Sequence, residues 1–340
     1  MPKRKRNLLA ALVLVLIVAS VCCIMVKKYS PAKVNKQIEN MFCKTPSTSA
    51  LDYPPLPSER TINFPENEAV GLLYIATGTQ SYGNDSNWEE MYGPATGEIK
   101  LPEGTAAFLE IEDGFSSFIS ELKPNDVQAI DFSAPFDKPF ELYTNNQTKR
   151  IVQLSDEDLE PVKNLNGLYQ LVLHNTTITD KALIYISELK SLRLINLWNT
   201  KITDDGLVYL AQLPFLDTIY LGATDISDEG LKHLSKLTRL QCLELTGSNR
   251  KKGDKQANTS SVNPNITDAG IQHLSALTSL KYLHVADTDI TDKGLDILSQ
   301  LSSLHRLEIS GTKTTEEGVR KLQAALPDCK IIHEYGMRMR

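Results

Sequence analysis

The stretch ITDKGLDILSQLSSLHRLEISGTK, from Ile290 to Lys313, is the last of six similar units that follow one another with a period of 24 residues. The earlier units begin at Leu154, Ile178, Ile202, Ile226 and Ile266. A polar insert, residues 250–265, is the one interruption of the period. A fixed period of this kind indicates a repeat architecture, in which each unit buries its apolar side chains against the next unit.

The pattern within each unit predicts a helix followed by a strand. Its first half, T/S-D-x-G-L-x-x-L-x-x-L, places apolar residues at helical spacing after a Thr or Ser whose hydroxyl can cap the helix. Its second half, L-x-x-L-x-L-x-x-T, alternates apolar and variable residues as a strand does. Neither apolar face can be buried within one unit. We therefore predict an α/β solenoid with parallel inner strands and outer helices.

The apolar positions of the last two units carry a resemblance to leucine-rich repeats: Leu280, Leu283, Val285, Leu304, Leu307 and Ile309. The ITDxGL helix start resembles a subtype that is frequent in bacterial secreted or surface proteins. The position that usually holds Asn or Cys in such repeats holds a hydroxyl here: Thr176, Thr200, Thr224, Ser248, Thr288 and Thr312. We expect these hydroxyls to bond backbone groups of the turn. The resemblance implies the fold and says little about function.

The N-terminus has the pattern of a membrane anchor. Residues 1–6 form a basic tail, and residues 8–26 are an uncharged apolar run that is long enough to span the hydrocarbon layer. We predict one transmembrane helix, residues 7–28, with the tail in the cytoplasm and the bulk of the chain outside it, in a periplasm or on a cell surface. A cleaved signal peptide is the alternative. Residues 29–60 are rich in Pro, Ser and Thr and are predicted to form a stalk.

Two folded regions are expected after the stalk. Residues 61–118 contain three strand-like runs, at 70–77, 97–104 and 105–114, and predict a small antiparallel β-module that covers the open end of the repeat stack. A ligand site on this module, at Tyr82, Trp88 and Tyr92, is a second interpretation. Residues 119–336 are the predicted repeat domain, with about eight units that include an irregular first and last one, and residues 337–340 form a tail.

The sequence carries no recognisable catalytic or cofactor motif. It contains no phosphate-binding glycine loop, no nucleophile elbow and no His-Glu-x-x-His pattern. We expect no enzymatic activity, no cofactor and no metal site. The formal net charge of −6 argues against nucleic acid as a partner. Of the five cysteines, Cys43, Cys242 and Cys329 lie outside the apolar run, and free thiols are expected, with one pair at most.

The variable strand positions are the candidate binding residues, because they point to the concave side when the leucines point inward. Several are large or aromatic, as are the residues that contribute most to protein interfaces. The predicted partner-binding set is Leu194, Asn196, Trp198, Tyr220, Glu244, Tyr282, His284 and Arg306. A purely structural alternative is that these side chains pack laterally against one another.

We therefore predict a membrane-tethered recognition protein whose concave face binds a protein or a glycan. The alternatives are a structural envelope protein that self-assembles through its repeats and, remotely, an enzyme with its site in residues 61–118.

Overall fold

The computed structural model describes residues 57–77, 90–111, 116–133, 152–247 and 266–333. The predicted anchor 7–28, the insert 250–265, and the side chains of Tyr82, Trp88 and Tyr92 lie outside the described residues. Within the described ranges, no helix combines the length and the apolar character that crossing a bilayer requires.

The N-terminal strands are antiparallel, as the alternating runs in this region predict. They are β1 (Arg60–Asn63), β2 (Gly71–Thr77), β3 (Glu90–Pro94), β4 (Glu98–Leu101) and β5 (Thr105–Ile111). Strand β1 pairs with β4 as a separate two-stranded sheet, and β2 lies between β3 and β5.

Eight short parallel strands continue the same sheet beyond β5. They are β6 (Ala129–Asp131), β7 (Gln170–Val172), β8 (Leu194–Asn196), β9 (Thr218–Tyr220), β10 (Cys242–Glu244), β11 (Tyr282–His284), β12 (Arg306–Glu308) and β13 (Lys330–Ile332). From β6 to β13, each strand pairs in parallel and in register with the next one. Strand β6 pairs with β5 in parallel, so the described strands β2, β3 and β5 extend the inner wall of the solenoid.

The helices form the outer layer. They are α1 (Asp180–Ile186), α2 (Leu207–Leu210), α3 (Asp228–Leu234), α4 (Asp268–Leu274), α5 (Asp292–Leu298) and α6 (Glu316–Ala325). Short 3-10 helices occupy Ser116–Glu121, Glu157–Asn164 and Asp204–Gly206. In α1, α3, α4 and α5 the preceding Thr or Ser caps the helix by accepting the backbone N–H two residues later. The expected helix start is therefore confirmed in these four units.

One continuous apolar core fills the space between strands and helices. It extends from Ile62 in β1 to Cys329 before β13 and includes Leu283 and Leu307, which are 2% and 0% exposed. This burial confirms the predicted solenoid, in which leucines of successive units share one interior. Leu109 of β5 and Ile130 of β6 belong to the same core, so the N-terminal strands bury the end of the repeat stack.

Five of the six hydroxyls at the usual Asn or Cys position bond the turn backbone, as expected, and the sixth, Ser248, lies outside the described residues. Thr176 Oγ1 donates to the carbonyl oxygen of Leu173 at 2.7 Å, and Thr200 Oγ1 donates to that of Leu197 at 2.6 Å. Thr224, Thr288 and Thr312 donate to the carbonyl three residues earlier in the same way.

A second set of hydrogen bonds joins neighbouring units and explains why the T/S-D-x-G motif contains an aspartate. Asp268 accepts the backbone N–H of Thr291 at 2.8 Å and its hydroxyl at 2.6 Å. The same pair of bonds links Asp156 to Thr179, Asp180 to Thr203, Asp204 to Ser227, Asp228 to Thr267 and Asp292 to Thr315. Each carboxylate thus fixes the helix start of the following unit.

Candidate functional site

The concave face carries the predicted binding residues on five neighbouring strands, but it does not expose them equally. Six are half-buried: Leu194, Asn196, Trp198, Tyr282, His284 and Arg306. Tyr220 and Glu244 are only 6% and 2% exposed. The expectation that these two side chains are exposed to a partner is therefore wrong, because both are buried.

The centre of the concave face is a small apolar cluster, separate from the main core. Tyr220 and Cys242 are its buried members, and Leu194 and Tyr282 pack against them. This lateral packing follows from the parallel register, which places Thr218, Cys242 and Tyr282 side by side on β9, β10 and β11. Because Tyr220 is buried, we expect its replacement by Ala to lower stability by roughly 3 kcal/mol.

Glu244 lies beside this cluster and is held by backbone donors. Its two carboxylate oxygens accept the N–H of Gly222 and the N–H of Thr246, each at 2.8 Å. A Cβ at Gly222 would lie 2.5 Å from Glu244 Oε1 and 2.7 Å from Trp198 Cδ1, so only glycine leaves room for both side chains. Burial raises the pKa of Glu244 to about 7, against the opposing effect of the bonds from Thr246 and Gly222.

A more accessible surface lies on the last strands, and we call it the C-terminal concave surface. It comprises Tyr282, His284, His305, Arg306 and Glu308, of which His305 is exposed and the others are half-buried. The rings of Tyr282 and His305 stack with their centroids 6.5 Å apart. Glu308 accepts the hydroxyl of Ser310. Burial lowers the pKa of His284 to about 3, so that this ring is neutral at physiological pH.

An edge cluster, which the sequence reading did not single out, lies at the start of β8 and β9. Arg193, 5% exposed, contacts Asp217 with an Nη1 to Oδ2 distance of 3.7 Å. The centroid of the Phe215 ring lies 5.6 Å from the guanidinium carbon of Arg193 and 5.7 Å from that of Arg239. Burial raises the pKa of Asp217 to about 6. Arg193 and Asp217 come directly before strands β8 and β9. Only the stacking of successive units brings them together with Phe215 and Arg239.

The N-terminal end of the sheet holds a second group of acidic side chains. Tyr74 donates its hydroxyl to Glu110 at 3.1 Å, and Glu110 is the register partner of Asp131 on the next strand. Burial, together with the Glu110 charge, raises the pKa of Asp131 to about 7, while its bonds from Ser133 act in the opposite direction. Within the described ranges no group of three or more His, Cys, Asp or Glu residues is placed to hold a metal ion.

The cysteines differ from the expectation of free thiols. Cys329 is free and buried, whereas Cys242 on β10 takes part in a disulfide. The disulfide lies on the concave face, because Cys242 belongs to the same cluster as Tyr220.

Comparison with known proteins supports the repeat assignment at the level of a single unit. The family described as Leucine Rich repeat matches residues 276–299. No curated protein matches the sequence. Among solved structures, internalin C2 of Listeria monocytogenes is 20% identical with a TM-score of 0.47, and the match covers 67% of this chain and 80% of that one.

Two further structures are similar to a lower degree. An internalin F of Listeria monocytogenes is 18% identical over 68% of this chain and 67% of its own, with a TM-score of 0.37. A leucine-rich-repeat protein of Leptospira interrogans is 15% identical over 60% of this chain and 54% of its own, with a TM-score of 0.34. Residues 276–299 thus match a leucine-rich repeat, and the described parallel strands and outer helices form an α/β repeat solenoid.

Proposed function

We propose that the protein is a protein-interaction module, held outside the cytoplasm by an N-terminal membrane anchor, and that its partner contacts the C-terminal concave surface. The observation that carries this proposal is the half-buried Tyr282 and Arg306 on adjacent strands, beside the exposed His305. Tyr and Arg are the side chains that contribute most often to protein interfaces. The two charged members, Arg306 and Glu308, offer both signs to a partner.

The anchoring part of the proposal rests on residues 8–26 and the basic tail before them. It predicts that the full chain sediments with membranes and resists extraction at high salt but not by detergent. A reporter enzyme that is active only outside the cytoplasm, fused after residue 340, should be active. Release of the chain by salt alone would contradict the anchor.

Site-specific photo-crosslinking tests the binding surface. A photoreactive phenylalanine analogue at position 306 should give a defined protein adduct on intact cells, whereas the same analogue at Asp296, which is exposed on helix α5, should not. Mass spectrometry of the adduct identifies the partner. Adducts of equal yield from both positions, or from position 296 alone, would contradict the assignment of the C-terminal concave surface.

A second candidate, self-assembly through the repeats, is favoured by the outer face. Ile184 and Val208 lie at the same phase of successive units and are 46% and 42% exposed, unusually high for large apolar side chains. A second copy of the chain would bury this strip by packing its helices α1 and α2 against the same helices.

Sedimentation velocity in detergent separates the two candidates. If copies associate through the strip, wild-type protein is a dimer or larger, and the double variant Ile184→Glu, Val208→Glu is a monomer with an unchanged melting temperature. The matched control, Lys181→Glu, changes an exposed charge on the same helix and should leave the association state unaltered. A monomeric wild type would remove this candidate.

A further inference from the structure

We propose that the edge cluster is a second interaction surface, which binds an acidic segment of a partner protein through the exposed ring of Phe215. This surface lies at the rim of the solenoid, in the loops that lead from helices α1, α2 and α3 into strands β8, β9 and β10. It is separate from the C-terminal concave surface, so either binding site can fail its test without the other.

Phe215 stands at a position where the repeat does not require a large apolar side chain. In the other 24-residue units the residue at the same phase is small or polar: Gly167, Ser191, Arg239, Ser279 and Ser303. The fold is therefore satisfied without an aromatic ring here. Phe215 is 44% exposed, and aromatic and arginine side chains are enriched in protein interfaces. The departure from the repeat thus indicates contact with another molecule.

The ring of Phe215 is held in place before any partner binds. Its centroid lies within the range of a cation–π contact from the guanidinium groups of Arg193 and Arg239, at 5.6 and 5.7 Å. Arg193 is itself buried and contacts Asp217, so it is a fixed support. Pro214 restricts the backbone directly before the ring. A side chain that is already ordered loses little entropy on binding, which favours affinity.

The loops around the ring carry an excess of positive charge. Residues 187–193, 211–217 and 235–241 contain four cations and two carboxylates: Lys190, Arg193, Lys236 and Arg239 against Glu188 and Asp217. Three of the cations, Lys190, Lys236 and Arg239, are exposed, whereas Asp217 is half-buried beside Arg193. The formal net charge of the whole chain is −6, so the sign of the charge is reversed locally. Carboxylates of a partner complement this surface.

A protein segment with an apolar side chain between Asp or Glu residues fits this surface better than an anionic lipid does. The exposed guanidinium of Arg239 can bind a carboxylate through two parallel hydrogen bonds, while the ring of Phe215 takes the apolar contact. Binding to a lipid surface draws on several apolar side chains that insert together. In the three loops, all of which the structure describes, Phe215 is the only exposed large apolar side chain.

Selection from a random dodecapeptide library displayed on phage tests the class of partner. The full chain, held in nanodiscs of zwitterionic lipid, should enrich peptides in which several Asp or Glu residues flank Leu, Phe or Trp. Synthetic copies of these peptides should bind at least about tenfold more weakly to the Phe215→Ser and Arg239→Ser variants, measured by fluorescence anisotropy. Enriched peptides without acidic residues, or an affinity that both variants leave unchanged, would overturn the proposal.

The matched control is Val208→Ser, because Val208 on helix α2 is exposed to nearly the same degree as Phe215. This variant should bind the acidic peptides as wild type does. Serine is the residue of three other units at the phase of Phe215, so the Phe215→Ser variant should fold and melt no more than about 4 °C below wild type.

Two outcomes would assign a different role to Phe215. If the ring only shields the contact between Arg193 and Asp217 from water, Phe215→Ser lowers the melting temperature and leaves the peptide affinity unchanged, which would overturn the proposal. If the partner is a lipid, the chain in nanodiscs floats with vesicles of phosphatidylglycerol and the Phe215→Ser variant does not. That flotation would overturn the protein partner, and its absence is the expected result.

Discussion

Single residues in the turns after strands β7, β8, β9 and β11 adopt a backbone conformation that most side chains avoid. Asn175, Asn199, Ala223 and Asp287 have φ angles of 57°, 54°, 55° and 58°. Asn and Asp tolerate this left-handed region because their short polar side chains bond locally. The side chain of Asn199 donates to that of Asn175 at 2.7 Å. Ala223 has no such group to offset the strain.

Replacing Ala223 with Gly is expected to stabilise the protein by about 0.5–1 kcal/mol, because glycine adopts a positive φ without steric cost. The free energy of unfolding in urea measures this change. Ala211→Gly is the matched control, since Ala211 has a φ of −63° at the end of α2 and should lose stability instead. A loss of stability in both variants would contradict the strain at Ala223.

Glu244 makes stability depend on pH in a direction that its raised pKa determines. The folded protein keeps a proton on Glu244 up to about pH 7, whereas the unfolded chain releases that proton near pH 4.5. Folding therefore binds a proton between these values, and the contribution of Glu244 to stability is full below pH 4.5 and is lost as pH rises to 7. One proton contributes a slope of at most about 1.4 kcal/mol per pH unit.

In the Glu244→Gln variant, the loss of stability that Glu244 causes between pH 4.5 and 7 should be absent. Urea unfolding of wild type and variant at several pH values between 4.5 and 7.5 measures the difference. Glu229→Gln is the control, because Glu229 is exposed and its bond from Lys232 lowers its pKa, so it does not titrate in this window. Parallel stability curves for wild type and the Glu244→Gln variant would contradict the prediction.

At the scale of the elements, the bond from each Asp to the next unit explains why the motif reads T/S-D-x-G. The hydroxyl of Thr291 donates to Asp268 and accepts from Lys293, so it closes its own helix and joins the preceding unit at once. The glycine makes room for the carboxylate. A Cβ at Gly270 would lie 2.2 Å from Asp228 Oδ1. The motif is thus an inter-unit contact as much as a helix start.

Asp268→Ala should therefore destabilise the solenoid by about 2 kcal/mol, because it removes a charged acceptor from the backbone N–H groups of Thr291 and Gly294 and from the Thr291 hydroxyl. The measurement is the free energy of unfolding in urea. Asp296→Ala, which changes an exposed aspartate on helix α5, is the control and should stay within about 0.5 kcal/mol of wild type. Equal losses in the two variants would show that the inter-unit bonds contribute little.

For the whole molecule, the N-terminal strands act as the closing layer of the repeat stack. Leu109 and Ile111 of β5 pack in the same core as Ile130 of β6. Without them strand β6, the first of the parallel strands, would expose both its apolar side chains and its unpaired backbone groups.

A variant that begins at residue 116 should therefore melt at least about 10 °C below the chain that begins at residue 57, because it loses several buried apolar contacts. Thermal unfolding followed by circular dichroism measures the shift, and binding of an apolar dye reports the exposed core. Removing residues 334–340 instead is the control and should leave the melting temperature unchanged. A variant from residue 116 that melts at the wild-type temperature would contradict the capping role.

The sequence by itself determined the repeat, its strand and helix halves, the direction of the leucines and the role of the Thr hydroxyls, because these depend on spacing within one unit. Only the tertiary structure decided what depends on neighbouring units: the Asp268 to Thr291 bonds, the pairing of Arg193 with Asp217, and the burial of Tyr220 and Glu244. A period predicts which side a residue faces, but its exposure depends on what covers that side. On the concave face, Tyr220 and Cys242 are buried in one cluster because strands β9 and β10 are neighbours in the sheet, a contact between units that no pattern within one unit encodes.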